Sequence, residues 1–213
     1  MRVAAAERKA RKRAPPALSH EKVRRAALAL IDAEGLEALS TRKLGAALGC
    51  EAMAIYWYYP SKDALLDAVV DELMSKVGAV APDADDWEDA LRQVARAYRG
   101  LARKHPHAFR LVATRRFASE STYAFLERLF ELAHRQGVDA RTAARFFRAV
   151  GAFCSGIGLN ELATRRADAA SPAGFPRLSE VSAWLAPDHF DDLFEFGLEV
   201  LLERLARSAH RAR

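Results

Sequence analysis

The residues best equipped for chemistry lie between Ser40 and Lys62. Arg42 offers two parallel donors that match the O6 and N7 acceptors of guanine. Glu51 can accept from cytosine N4, while Met53 and Ala54 can touch thymine methyl groups; Ala52 shares their short segment. Ser40, Thr41, Lys43, Tyr56, Tyr58 and Lys62 are types that bond phosphate oxygens. Trp57 has two readings, a place on the same surface or support beneath it. Nothing in the chain pairs a nucleophile with a base, forms a phosphate loop or clusters metal ligands. His105-Pro106-His107 invites a metal reading, but no Cys, Asp or Glu stands nearby at ligand spacing. It is read as the start of a helix burying Phe109, Leu111 and Val112.

The nucleic-acid groups need elements to hold them. Ser40 is a good helix N-cap, Leu44 and Leu48 recur at i and i+4, and Gly49 suits a helix C-terminus. A second short helix fits Glu51 to Tyr58, stopped by Pro60, and Ser61 opens a third. Two short helices across a glycine turn are the plan of a helix-turn-helix, whose second helix enters the DNA major groove. A preceding helix, His20 to Glu34, carries Val23, Ala26, Ala27, Leu30 and Ile31 on one stripe and ends at Gly35. The helix after Ser61 presents Leu65, Leu66, Val69, Leu73 and Val77, and is long enough to reach into the second half of the chain.

The run Thr41-Arg42-Lys43-Leu44, then Leu48-Gly49, Ile55-Tyr56-Trp57, Lys62 and Ala64-Leu65-Leu66-Asp67-Ala68 resembles the DNA-binding domain of the tetracycline-repressor (TetR) family. The resemblance covers roughly residues 20 to 70. It implies an all-α homodimer with a small-molecule site in its C-terminal domain and an interface made by the last two long helices of each subunit. By weaker similarity it puts pocket positions at Tyr98, Leu111, Leu126, Leu129, Phe147, Gly151 and Asn160. The tetracycline-binding subgroup places a histidine before a Gly-Thr-Arg stretch to reach the drug's metal. Here the stretch reads Leu111-Val112-Ala113-Thr114-Arg115, which argues against a magnesium–tetracycline ligand.

The rest of the 213 residues fits that plan. Half are hydrophobic, enough for a sizeable core, and the formal net charge of +5 favours an anionic partner. Two distant cysteines give no disulfide framework and fit a cytoplasmic setting; no run is long and apolar enough for a membrane. Residues 1–17 hold six bases against one acid and read as a basic tail, either solvated or lying along DNA. Residues 18–80 form the expected DNA-binding domain and 83–213 a helical bundle. Its helices run from Asp86 to Lys104, Ser119 to Gln136 (Tyr123, Leu126, Leu129, Phe130 and Ala133 inward), Asp139 to about Arg165 and Asp188 to near Arg207. Residues 166–180 read as a loop. Phe109, Phe117, Phe125, Phe130, Phe146, Phe147 and Phe153 make either a core or a cavity lining. Gly151, Gly156 and Gly158 inside a helix cost roughly 1 kcal/mol each against alanine, which close approach of a helix or ligand would explain.

The expected function is a ligand-responsive regulator, most simply a repressor released from a palindromic double-stranded operator by a small apolar or aromatic molecule, with no cofactor. The rivals are an enzyme with a buried pocket and an architectural DNA-binding dimer without ligand.

Overall fold

The computed structural model describes residues 18–80, 84–115, 119–164, 174–186 and 189–210; the basic tail and Phe117 lie outside them. The chain is all-α: α1 His20–Glu34, α2 Thr41–Leu48, α3 Ala52–Tyr56, α4 Lys62–Gly78, α5 Trp87–Lys104, α6 Pro106–Thr114, α7 Glu120–Arg135, α8 Ala140–Thr164, α9 Pro176–Val181 and α10 Phe190–His210. Short 3-10 turns occupy Leu36–Ala38 and Ser182–Leu185, and no strand occurs among the described residues.

Local chemistry sets most helix starts. Ser19, Ser40, Ser61, Asp86 and Ser119 each accept from the amide three residues on, at Lys22, Lys43, Ala64, Asp89 and Thr122. Each such cap is worth about 1 kcal/mol. Pro106 opens α6, where a missing amide costs nothing. Gly49 ends α2 in the left-handed region at φ 67°. The turn it makes lets α2 and α3 approach so closely that a Cβ on Gly45 would sit 2.8 Å from the Cys50 carbonyl oxygen.

Val23, Ala27, Ile31, Leu44, Ile55, Leu65 and Val69 interlock under the helix-turn-helix. Arg24 of α1 donates to Glu72 of α4 at 2.6 Å. Burial pushes the Glu72 carboxyl up, but hydrogen bonds from Arg24 and Lys76 outweigh it and the net shift is down. In the bundle, α5 packs on α8 and α8 on α10, around Trp87, Phe109, Leu91, Phe194 and Leu198. The helical glycines divide. A Cβ on Gly158 would lie 2.6 Å from the Phe109 ring, so this glycine is demanded by packing. Gly151 and Gly156 face open space.

Charge is buried with its partner. Arg99 Nε and Nη2 donate to Glu161 Oε2 at 3.3 and 3.1 Å, and Arg99 Nη1 to Asp191 Oδ1 at 2.7 Å. Arg103 bonds the same two carboxylates, and the Arg99 guanidinium lies 4.7 Å from the Phe194 ring centroid. α5, α8 and α10 are thereby pinned together.

The fold departs from expectation at three places. The recognition segment is shorter than Glu51–Tyr58, because after Tyr56 the chain turns towards Pro60. Tyr123 is 58% exposed. The inward face of α7 runs through Thr122, Phe125, Leu129 and Leu132, one residue out of phase with Tyr123. Within 166–180, residues from Pro176 form α9 rather than loop; 166–173 lie outside the described residues.

Candidate nucleic-acid interface and effector cavity

The helix-turn-helix turns one face outward. Ser40, Arg42, Lys43, Glu51 and Lys62 are exposed along it, with Met53 and Tyr56 also standing out. Thr41, Ala52 and Ala54 are half-buried at its foot. An apolar-floored crevice of about 250 Å³ is rimmed by Ser40, Thr41, Tyr56, Ser61 and Lys62. It joins the N-termini of α2 and α4, where first-turn amides lack partners inside their helices and attract anions. Such a rim can take a phosphate oxygen. Arg42 makes no side-chain bond among the described residues and is exposed at the α2 N-terminus, whereas Lys43 pairs with Glu34.

Two aromatic residues change role. Trp57 is 88% exposed, so the reading of core support beneath the helix pair is lost. Tyr58 turns inward instead: its hydroxyl donates to the Leu18 carbonyl at 3.0 Å, and its ring meets His20 edge-on. Tyr59, which carries no signal in the sequence, does the same with the His20 carbonyl at 3.1 Å. Both tyrosines fasten the start of α1 to the end of α3, which leaves Tyr58 poorly placed for phosphate.

The bundle contains a cavity of about 330 Å³ between α4, α5, α6, α7 and α8. Of the seven positions the resemblance implied, it gathers Tyr98, Phe147 and Gly151. The other four lie elsewhere. Leu111 and Leu129 are core residues, Leu126 is half-buried outside the cavity, and Asn160 borders a separate groove with Trp184 and Phe196. The Tyr98 and Ser155 hydroxyls share a 3.0 Å hydrogen bond on the wall. Met74, Arg115, Arg148, Cys154 and Ser155 are lining residues that sequence reading missed. Their signal was weak: Met74, Cys154 and Ser155 border the cavity only through the register of neighbouring helices, Arg115 follows the end of α6, and Arg148 stands exposed at the rim.

Burial pushes the Tyr98 hydroxyl up, and the Cys154 thiol from an ordinary 9.0 up to about 12. Both are neutral near pH 7. The Cys154 stabilisation is therefore complete below about pH 9 and is lost as pH rises towards 12. Iodoacetamide at pH 8 should alkylate the half-buried Cys50 well before Cys154. Mass spectrometry of the labelled peptides measures this, and equal rates would contradict the burial argument.

Arg115 joins the cavity to the DNA-binding half. It ends α6, lines the cavity, and its guanidinium bonds Asp67 and Asp63 in the first turns of α4, the latter at 2.7 Å. A second bridge is His105, whose Nδ1–H donates to Asp32 Oδ2 of α1 at 2.7 Å. His105 is committed to this strut, and no group of three or more metal-ligating side chains occurs among the described residues.

A helix-turn-helix carried on α4 into a cavity-bearing helical bundle defines a DNA-binding protein with a separate sensing domain. Residues 23–69 match the model of the bacterial regulatory proteins of the tetR family, and residues 80–208 that of the tetracyclin repressor-like C-terminal domain. This chain belongs to the TetR family. It is 32% identical over 199 residues to the tetracycline repressor protein class A from transposon 1721 of Escherichia coli, covering 86% of this chain and 88% of that one. It is 29% identical over 210 residues to the transcriptional repressor DrrR1 of Streptomyces coeruleorubidus, covering 89% and 78%. The crystal structure of TetR from Acinetobacter baumannii AYE superposes with a TM-score of 0.75 at 26% identity, covering 91% of this chain and 99% of that one.

Proposed function

We propose that this protein is a ligand-responsive transcriptional repressor, which binds a palindromic operator as a homodimer and releases it when a small molecule fills the bundle cavity. The observation that carries the reading is the geometry of α4. Its first turn supplies Lys62 to the DNA face, its middle buries Leu65, Leu66 and Val69 under the helix-turn-helix, and Met74 lines the cavity. Arg115 holds its N-terminal turns from the cavity wall. A ligand that favours one position of α4 over another therefore changes the spacing of the recognition helices. The relatives support the response: a TetR from Acinetobacter baumannii AYE has been solved in complex with minocycline.

Dimerisation through α8 and α10 is supported by an unpartnered apolar stripe. Leu193, Phe196 and Val200, at i, i+3 and i+7, are exposed on α10, with Phe196 at 69%. On α8, which packs against α10, Ala152 and Gly156 are also exposed. An apolar face of this kind on small-residue ground suits close helix pairing. No helix among the described residues is long and apolar enough to cross a membrane.

Selection from random duplex DNA should return an inverted repeat with half-sites about one helical turn or a multiple apart. On that operator, Arg42→Ala should cost roughly 1–3 kcal/mol and relax one base pair in each half-site. Lys62→Ala should weaken all sequences alike and flatten the salt dependence. Fluorescence anisotropy over base-substituted duplexes separates the two. Uniform loss for Arg42→Ala would remove its role as a base reader.

A further inference from the structure

The lining of the cavity is electrically one-sided. Its charged side chains are Arg115 and Arg148, and no carboxylate borders it among the described residues. The remaining wall is apolar or neutral: Phe125, Phe147 and the leucine and valine side chains, with the Tyr98 and Ser155 hydroxyls and a Cys154 thiol. Arg148 is exposed on α8 and has no hydrogen-bond or ion-pair partner among the described residues. Arg115 is half-buried and held by Asp63 and Asp67, which lie outside the cavity. Arg148 has no partner among the described residues to satisfy it, so a cation is repelled there and a neutral molecule leaves its charge unused. An anion pairs with that charge, because guanidinium groups bond oxyanions through charge-assisted, bidentate contacts.

We infer that the effector is an organic acid: a compact apolar body seated against Phe125 and Phe147, with one anionic head held by Arg148 and Arg115. This rests on the cavity being the effector site. It also gives the head group a mechanical consequence. The anion competes with Asp63 and Asp67 for Arg115, and so loosens the first turns of α4. A volume of about 330 Å³ lies at the small end of ligand pockets, which span roughly 300–1,000 Å³. It is about twice the roughly 150 Å³ of a cavity that binds benzene.

Two dyes with one ring framework test the charge alone: anilinonaphthalene sulfonate and the neutral phenylnaphthylamine. Fluorescence titration of the full-length protein should show the sulfonate binding at least tenfold more tightly. Arg148→Gln should cut sulfonate affinity about tenfold and leave phenylnaphthylamine within twofold, with thermal unfolding unchanged. Arg115→Gln should cut it similarly. Phenylnaphthylamine binding as tightly as the sulfonate overturns the inference, as does an unaltered sulfonate affinity in both arginine variants. Gly151→Leu separates that failure from failure of the cavity reading. If the wild type binds neither dye, or Gly151→Leu leaves both affinities unchanged, the cavity is not the site and both readings fall.

Discussion

Glu161→Ala should destabilise the bundle by about 3 kcal/mol, the low end of the cost of stripping one partner from a buried ion pair. Arg99 and Glu161 are both under one-tenth exposed, and Glu161 also receives Arg103. Removing the carboxylate strands the Arg99 guanidinium between α5 and α8, with Asp191 as the ion-pair partner left to it among the described residues. Glu161→Gln keeps the shape and an acceptor oxygen, and should cost less. The exposed pair Arg96 and Glu195, bridging α5 and α10, provides the contrast: Glu195→Ala should cost under about 1 kcal/mol. Urea unfolding of the three variants measures the order. A Glu161→Ala loss no larger than that of Glu195→Ala would mean that the buried network contributes little.

Gly151→Leu should abolish the effector response while leaving the fold and operator binding intact. The position lies on α8 at the cavity wall, and a Cβ there meets no atom within 4 Å. The leucine side chain occupies the space a ligand needs. Replacing a mid-helix glycine also gains roughly 1 kcal/mol of helix propensity, so thermal stability should be equal or higher. Gly158→Leu, two turns along the same helix, should do the opposite. Its Cβ would strike the Phe109 ring at 2.6 Å, and overpacking of that kind typically costs about 1–3 kcal/mol. Thermal unfolding and operator anisotropy, each with and without compounds that release the wild type, separate the outcomes. A large fall in melting temperature for Gly151→Leu would make the cavity a packed core.

The helix-turn-helix was the most legible part of the chain, because its signals are local. Ser40 and Ser61 cap the helices they precede, Gly49 turns the chain, and Leu44 and Ile55 meet across the turn. The orientation of its aromatics was not legible. Trp57 and Tyr58 are neighbours of similar type, and the Leu18 carbonyl that draws Tyr58 inward is forty residues away. The cavity was legible only in part for the same reason. Tyr98, Phe147 and Gly151 sit on inward faces of long helices, whose periodicity shows in the sequence. Arg115 and Arg148 look like ordinary surface charges in the sequence, and only the packing of α4, α6 and α8 puts both at one cavity. Pattern alone also could not distinguish Gly158, which Phe109 requires, from Gly151, which nothing crowds.

Coupling between the cavity and the operator face is open to a direct thermodynamic test, because linkage is reciprocal. If a cavity ligand weakens operator binding by some factor, the operator must weaken ligand binding by the same factor, commonly about 5–150-fold for coupled sites. The measurement is the affinity of the full-length protein for a cavity-binding compound, with and without a saturating operator duplex. Coupled sites require that operator weaken that affinity, by the factor with which the compound weakens DNA binding. A ligand affinity unchanged by saturating operator would show that the two sites do not communicate.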